Sequence, residues 1–173
     1  MSANTPDRPV TPVSLPELPL TGGCACGKVR YAISGVPQAL YFCHCTECQR
    51  QSSSAYGMSL RVDPAHVEVT GAMRTVSRTS ETGGTRYGDF CPSCGVRIQH
   101  RSENDPGRLN IKAGTLDDTS WLVPAGHIWV SSRQPHVTIS ENELSYPRQP
   151  EDKAAAIKAR WREMLEAGGA PAA

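Results

Sequence analysis

The chain has no apolar run approaching the roughly 20 residues that a membrane-spanning helix needs, so a bilayer span is excluded from the reading. It also lacks a charge excess. Eighteen Lys and Arg face 17 Asp and Glu, a formal +1, whereas a dedicated nucleic-acid binder carries a basic surplus. Aromatic residues are sparse at 6%, and no aromatic–basic stripe of the kind that stacks bases is visible. A small-molecule or protein partner is the expectation, with no nucleic acid and no membrane. The first twenty residues hold five prolines and no apolar stretch of signal-peptide type, which points to a cytoplasmic protein.

Cysteine, by contrast, is present seven times. An odd number cannot pair completely into disulfides, and a cytosolic compartment keeps thiols reduced. Metal ligation is the better use. At 173 residues the chain has room for one ordinary core.

Residues 1–20 read as a proline-rich tail or surface arm. A zinc-binding domain over 21–146 and a C-terminal helix with its tail over 147–173 complete the expected organisation. From Thr21 onward, short alternating segments are broken by Gly, Pro, Asp and Asn. Strands are expected at 29–33, 55–62, 67–70, 74–80, 85–90, 96–101, 108–113, 127–131 and 136–140. No long helical periodicity interrupts them, so the class is mainly β. One helix stands apart. Pro150, Glu151 and Asp152 form a helix start, Gly168 and Gly169 a stop, and Ile157, Trp161, Met164 and Leu165 share one face.

The cysteines fall into Cys24-x-Cys26, Cys43-x-Cys45-x-x-Cys48 and Cys91-x-x-Cys94. Seven divides as four plus three. A closed structural zinc site takes four protein ligands, and one that keeps a position open for chemistry takes three. Spacing permits two partitions. Cys45 and Cys48 can join Cys91 and Cys94, leaving Cys24, Cys26 and Cys43. Alternatively Cys24 and Cys26 join Cys91 and Cys94, leaving Cys43, Cys45 and Cys48. The second is favoured because three thiolates within six residues surround one ion without outside help. A third arrangement has all seven serving folding, with His44 or another histidine closing the second site. His44 lies between two candidate ligands, so its ring is expected to turn away and serve as a supporting group or proton carrier.

Several motifs occur in order: Gly22-Gly23-Cys24-x-Cys26-Gly27-x-Val29-Arg30-Tyr31, Cys43-His44-Cys45-x-x-Cys48-Gln49-Arg50, and Phe90-Cys91-Pro92-x-Cys94-Gly95. Ala113-Gly114-Thr115-Leu116-Asp117-Asp118 and the run from His127 to Pro135 follow. Over roughly 21–140 the chain resembles the family of glutathione-dependent formaldehyde-activating enzymes, which also includes centromere protein V. The resemblance implies a β-tent fold of small antiparallel sheets and two Zn2+ sites. It makes Cys24, Cys26, Cys91 and Cys94 the structural ligands, and Cys43, Cys45 and Cys48 the catalytic ones. It further implies a carbon–sulfur lyase acting on a glutathione or other thiol adduct of a small aldehyde. A monomer or homodimer is expected.

A non-catalytic zinc-binding interaction module is the alternative, as the centromere protein V relationship allows. Glutathione has two carboxylates, which makes Arg50 and Arg133 candidate substrate contacts. Trp129 is expected to pack on a strand, and Asp117 and Asp118 to cap a turn. Ser53 stands where relatives commonly place glycine. His136 stands where they often have tryptophan, and is expected on a surface strand.

Overall fold

The protein is described by a computed structural model covering residues 9–80, 83–152 and 154–169. The beginning of the expected N-terminal arm (1–8) and the end of the C-terminal tail (170–173) lie outside the described residues. The chain divides into two compact units, the first comprising 9–15, 38–59 and 121–169, the second 16–37 and 60–120. The fold is mainly β with a C-terminal helix, as the short alternating segments require.

In the first unit, β3 (Ala39–Cys43) is buried at all five positions. β10 (Gly126–Ile128) runs parallel to it, with His127 opposite Phe42 and Ile128 opposite Cys43. β11 (Ser145–Tyr146) extends the order parallel to β10. β4 (Gly57–Val62) lies on the other side of β3, and along it the chain passes into the second unit. A strand buried on both faces shows no polar–apolar alternation, which is why the sequence reading passes over Ala-Leu-Tyr-Phe-Cys. A seven-residue helix, α1 (Thr46–Ser52), follows directly and buries nothing.

The terminal helix α2 (Ala155–Ala167) packs on β3 and buries Ile157, Trp161, Met164 and Leu165, the four residues the periodicity selects. Burial of each contributes about 1.5–3 kcal/mol. The helix begins three residues later than Asp152, whose carboxylate instead accepts the N–H groups of Ala154 and Ala156 at 2.9 and 3.0 Å. The arm around Val13 lies against its far end. Val13 is 2% exposed and donates its N–H to the Met164 carbonyl at 2.9 Å. A Cβ at Gly168 would sit 2.0 Å from the Val13 carbonyl oxygen, so only glycine admits the arm there.

The second unit contains an antiparallel sheet of β1 (Leu20–Gly23), β2 (Arg30–Ile33) and β5 (Val67–Thr70). It also contains a run in which the end of β4 is followed by β9 (Asp105–Lys112), β8 (Arg97–Ser102), β7 (Thr85–Phe90) and β6 (Arg74–Thr79), the last four pairing antiparallel. Val29, Tyr31, Ile33, Val62, Ile98 and Ile111 form its core.

Two strand expectations are corrected. The segment 136–140 forms no strand, and His136 lies in a turn after Pro135. The strand opening at 127 stops at Ile128 because Trp129 is left-handed (φ 61°) and begins a 3-10 turn over Val130–Ser132. Trp129 packs under the Arg148 guanidinium at 5.8 Å.

Candidate metal centre

Two similar turns build the first cysteine cluster, in the second unit. After β1, the Cys24 carbonyl accepts the Gly27 N–H at 3.1 Å; after β7, the Cys91 carbonyl accepts the Gly95 N–H at 3.0 Å. Both glycines sit at φ 76°, a conformation glycine enters without a Cβ penalty. Lys28 Nζ donates to Ser93 Oγ at 3.2 Å and ties one turn to the other. The four Sγ atoms of Cys24, Cys26, Cys91 and Cys94 lie within 4.8 Å of one another. Cys24–Cys26 and Cys26–Cys91 are 3.5 and 3.7 Å apart. A tetrahedral zinc with Zn–S bonds near 2.3 Å has sulfur–sulfur edges of about 3.8 Å, so the cluster fits that ion.

The electrostatics agree with this fit. Burial pushes the Cys24 thiol up, but the Val29 N–H and its cysteine neighbours outweigh that and bring it down to about 6. Cys26 is favoured by the Lys28 backbone but is pushed up to about 11 by Cys24, burial and the other two sulfurs. Four thiols this close cannot all ionise on their own, and a divalent cation is the counter-charge that allows it.

The second cluster belongs to the first unit. Cys43 ends β3, Cys45 is the N-cap of α1 with its Sγ accepting the Cys48 N–H at 3.4 Å, and Cys48 lies in the first turn. Their three sulfurs also lie within 4.8 Å of one another. Cys45, Cys48 and burial together drive the Cys43 pKa upward, the same mutual repulsion of thiolates without a cation. Of the two partitions that spacing allows, the geometry gathers Cys24, Cys26, Cys91 and Cys94 in one place and Cys43, Cys45 and Cys48 in another. No histidine or carboxylate joins either set among the described residues.

His44 is 0% exposed, and its ring meets other aromatics. Nε2 lies 2.9 Å from His127 Nδ1, and the Tyr56 ring approaches at 5.3 Å. Burial, followed by the positive influence of His127 and Arg133, lowers its pKa to about 4. His127 is likewise lowered by burial, with Glu143 pulling the other way. Glu143 Oε1 stands 3.7 Å from His127 Nε2, beyond hydrogen-bond reach, and one proton is shared between His44 Nε2 and His127 Nδ1. His44 Nδ1 and His127 Nε2 are each buried with no hydrogen-bond partner among the described residues.

Two residues quoted in the motifs without a role fix the loop between the cysteines. Gln49 Nε2 donates to the carbonyls of His44 (2.7 Å) and Ser132 (2.8 Å), and Gln49 Oε1 accepts from Gln134 Nε2 at 3.0 Å. Ser132 Oγ donates to the same His44 carbonyl at 3.0 Å. Nothing in residue type or spacing marks this clamp, because it joins segments more than 80 positions apart.

The candidate substrate contacts separate. Arg50 is largely exposed beside Glu47 and lines an open polar cleft of about 580 Å³ with Gln49, Ser53, Ser54, Gln134 and His136. Arg133 is exposed and does not line this cleft. Asp117 is a structural anchor, ion-paired with Arg30 and accepting from Thr21 Oγ. Asp118 caps the Ser120 N–H at 2.9 Å.

A mainly β scaffold presents one four-thiol and one three-thiol cluster, each able to hold a metal ion such as zinc. The profile of the glutathione-dependent formaldehyde-activating enzyme family matches residues 19–132, more than half of the chain. The chain belongs to that family. A crystal structure of a Rhodobacter sphaeroides protein superposes with a TM-score of 0.47 and 19% identity, covering 58% of this chain and 91% of that one.

Proposed function

We propose that the protein is a zinc-dependent carbon–sulfur lyase that joins a small aldehyde to the thiol of glutathione or a similar molecule, and separates them in reverse. One observation carries this reading: three sulfurs converge at Cys43, Cys45 and Cys48, against four at the other cluster. Three ligands leave one position of a tetrahedral ion open, and four close it.

Zinc held there would acidify a thiol and fix its sulfur. The protein's part is to position and to move a proton. The clamp from Gln49 and Ser132 to the His44 carbonyl holds the loop that carries Cys43 and Cys45. In the tautomer that leaves His44 Nδ1 unprotonated, this unpartnered nitrogen receives the thiol proton. His127 orients the ring from the other side. The substrate sulfur attacks the aldehyde carbon, a carbon–sulfur bond forms, the carbonyl π bond breaks, and the proton passes from His44 to the new hydroxyl. Arg50, with Arg133 at a distance, supplies positive charge for the substrate carboxylates. The structural role falls to Cys24, Cys26, Cys91 and Cys94.

Exchange spectroscopy on carbon-13 formaldehyde with glutathione tests this. The protein should accelerate interconversion with the hydroxymethyl thioether, and Cys45→Ser should remove the acceleration. No acceleration by zinc-loaded protein contradicts the reading.

A further inference from the structure

The polar cleft at α1 lies wholly in the first unit, and its lining divides into a fixed part and a free part. Gln49 and Gln134 are the fixed part. Gln49 donates its amide N–H groups to the His44 and Ser132 carbonyls and accepts from Gln134. These bonds tie the cleft to the loop that carries Cys43 and Cys45, and Gln49 itself follows Cys48 directly.

The free part is Arg50, Ser53, Ser54 and His136. The Arg50 side chain is 78% exposed, and its ion pair with Glu47, at 3.8 Å, is too long for a hydrogen bond. Exposed pairs of that kind contribute little. The Ser53 and Ser54 hydroxyls and the His136 ring have no hydrogen-bond partner among the described residues. Carbonyls at the end of a helix disfavour an anion, but two of those in α1 are already engaged. Gln49 O accepts the Ser53 and Ser54 N–H groups, and Cys48 O accepts the Ser52 hydroxyl at 2.8 Å. None of the lining residues is acidic, and Ala55 is the one apolar residue among them.

One permanent cation flanked by neutral donors matches a single negative charge. A phosphate group carries nearly two charges at neutral pH and calls for a second cation; a carboxylate does not. The guanidinium offers a carboxylate paired N–H donors, and the hydroxyls and the imidazole N–H supply the remainder. The volume of about 580 Å³ lies in the range of small-molecule sites and holds far more than a lone carboxylate. We propose that this cleft receives the carboxylate end of the thiol substrate, and that His136, with Arg50, selects carboxylate-bearing thiols over neutral ones. That the ligand is a thiol rests on the lyase reading; the preference for a carboxylate rests on the cleft alone.

S-methylglutathione and its dimethyl ester are the probes, because a blocked sulfur allows binding without turnover. Calorimetric titration gives the affinities, and the NMR signal of the His136 imidazole reports where the probe sits. The acid should shift that signal saturably, and the ester should bind about tenfold more weakly. Arg50→Gln and His136→Ala should each weaken the acid about tenfold and leave the ester unchanged. His136→Gln, which keeps an N–H donor, should recover most of the loss. In the exchange assay His136→Ala should raise KM for glutathione with kcat unchanged, and should not affect 2-mercaptoethanol. Acid-selective binding by a protein that does not accelerate exchange would uphold the cleft and remove the lyase reading. Equal binding of acid and ester, or acid binding unchanged in the Arg50→Gln/His136→Ala double variant, overturns the proposal.

Discussion

His44 Nε2 and His127 Nδ1 lie 2.9 Å apart, so a residue between two cysteines of the three-sulfur cluster is tied to the middle of β10. One proton serves this contact. With burial lowering both rings, the pair works as two neutral imidazoles. His44 should therefore show no protonation between about pH 8 and about pH 5, where an ordinary histidine titrates. Because the folded pKa is depressed, its contribution to stability is full above the unfolded value and is lost as pH falls through about 6.5 toward about 4. Histidine NMR across that range checks both statements, and a His44 midpoint near 6.5 would contradict them.

Serine substitutions should separate the two clusters. Cys94→Ser removes one ligand from a closed set and should destabilise by several kcal/mol, because structural zinc binding is folding energy. Cys45→Ser should abolish thiol–aldehyde exchange and leave the melting transition of the Cys24/Cys26/Cys91/Cys94 unit in place. Calorimetry beside the exchange assay distinguishes this from equal unfolding by both substitutions.

Gln49→Ala removes three hydrogen bonds, each worth about 1 kcal/mol net. The expected loss is about 1–3 kcal/mol of stability and a larger loss of kcat than of KM. A purely packing role would leave the cobalt(II)–thiolate charge-transfer bands unchanged; the clamp predicts that they shift.

Ser53 closes α1 at φ 50°, ψ 37°, a left-handed conformation that costs a residue with a Cβ about 1–2 kcal/mol. Glycine adopts that conformation without this cost. Ser53→Gly should raise stability by about 1 kcal/mol, measurable as an increase in Tm. A decrease would show that the Ser53 side chain contributes more than its strain costs.

Local chemistry was the legible part of the sequence. The face of α2, with Ile157, Trp161, Met164 and Leu165, follows from helical spacing, and β5 and β7 emerge at their observed bounds because turn residues flank them. β3 was hidden because both its faces are covered and alternation disappears. α1 was hidden because it buries nothing and its cap is a cysteine. At the site, the grouping of sulfurs by four and three was visible as one of two partitions. The ties from His44 to His127 and from Gln49 to Ser132 were not, since each joins distant segments through a backbone carbonyl or a ring nitrogen.

Zinc content per chain, measured by elemental analysis on protein purified without chelator, tests the account most directly. Two separate thiolate clusters predict about two zinc ions for the native chain and about one when Cys43, Cys45 and Cys48 are replaced together by serine. About one ion in the native chain, unchanged by that triple substitution, would contradict a metal at the three-cysteine site, and the proposed lyase chemistry with it.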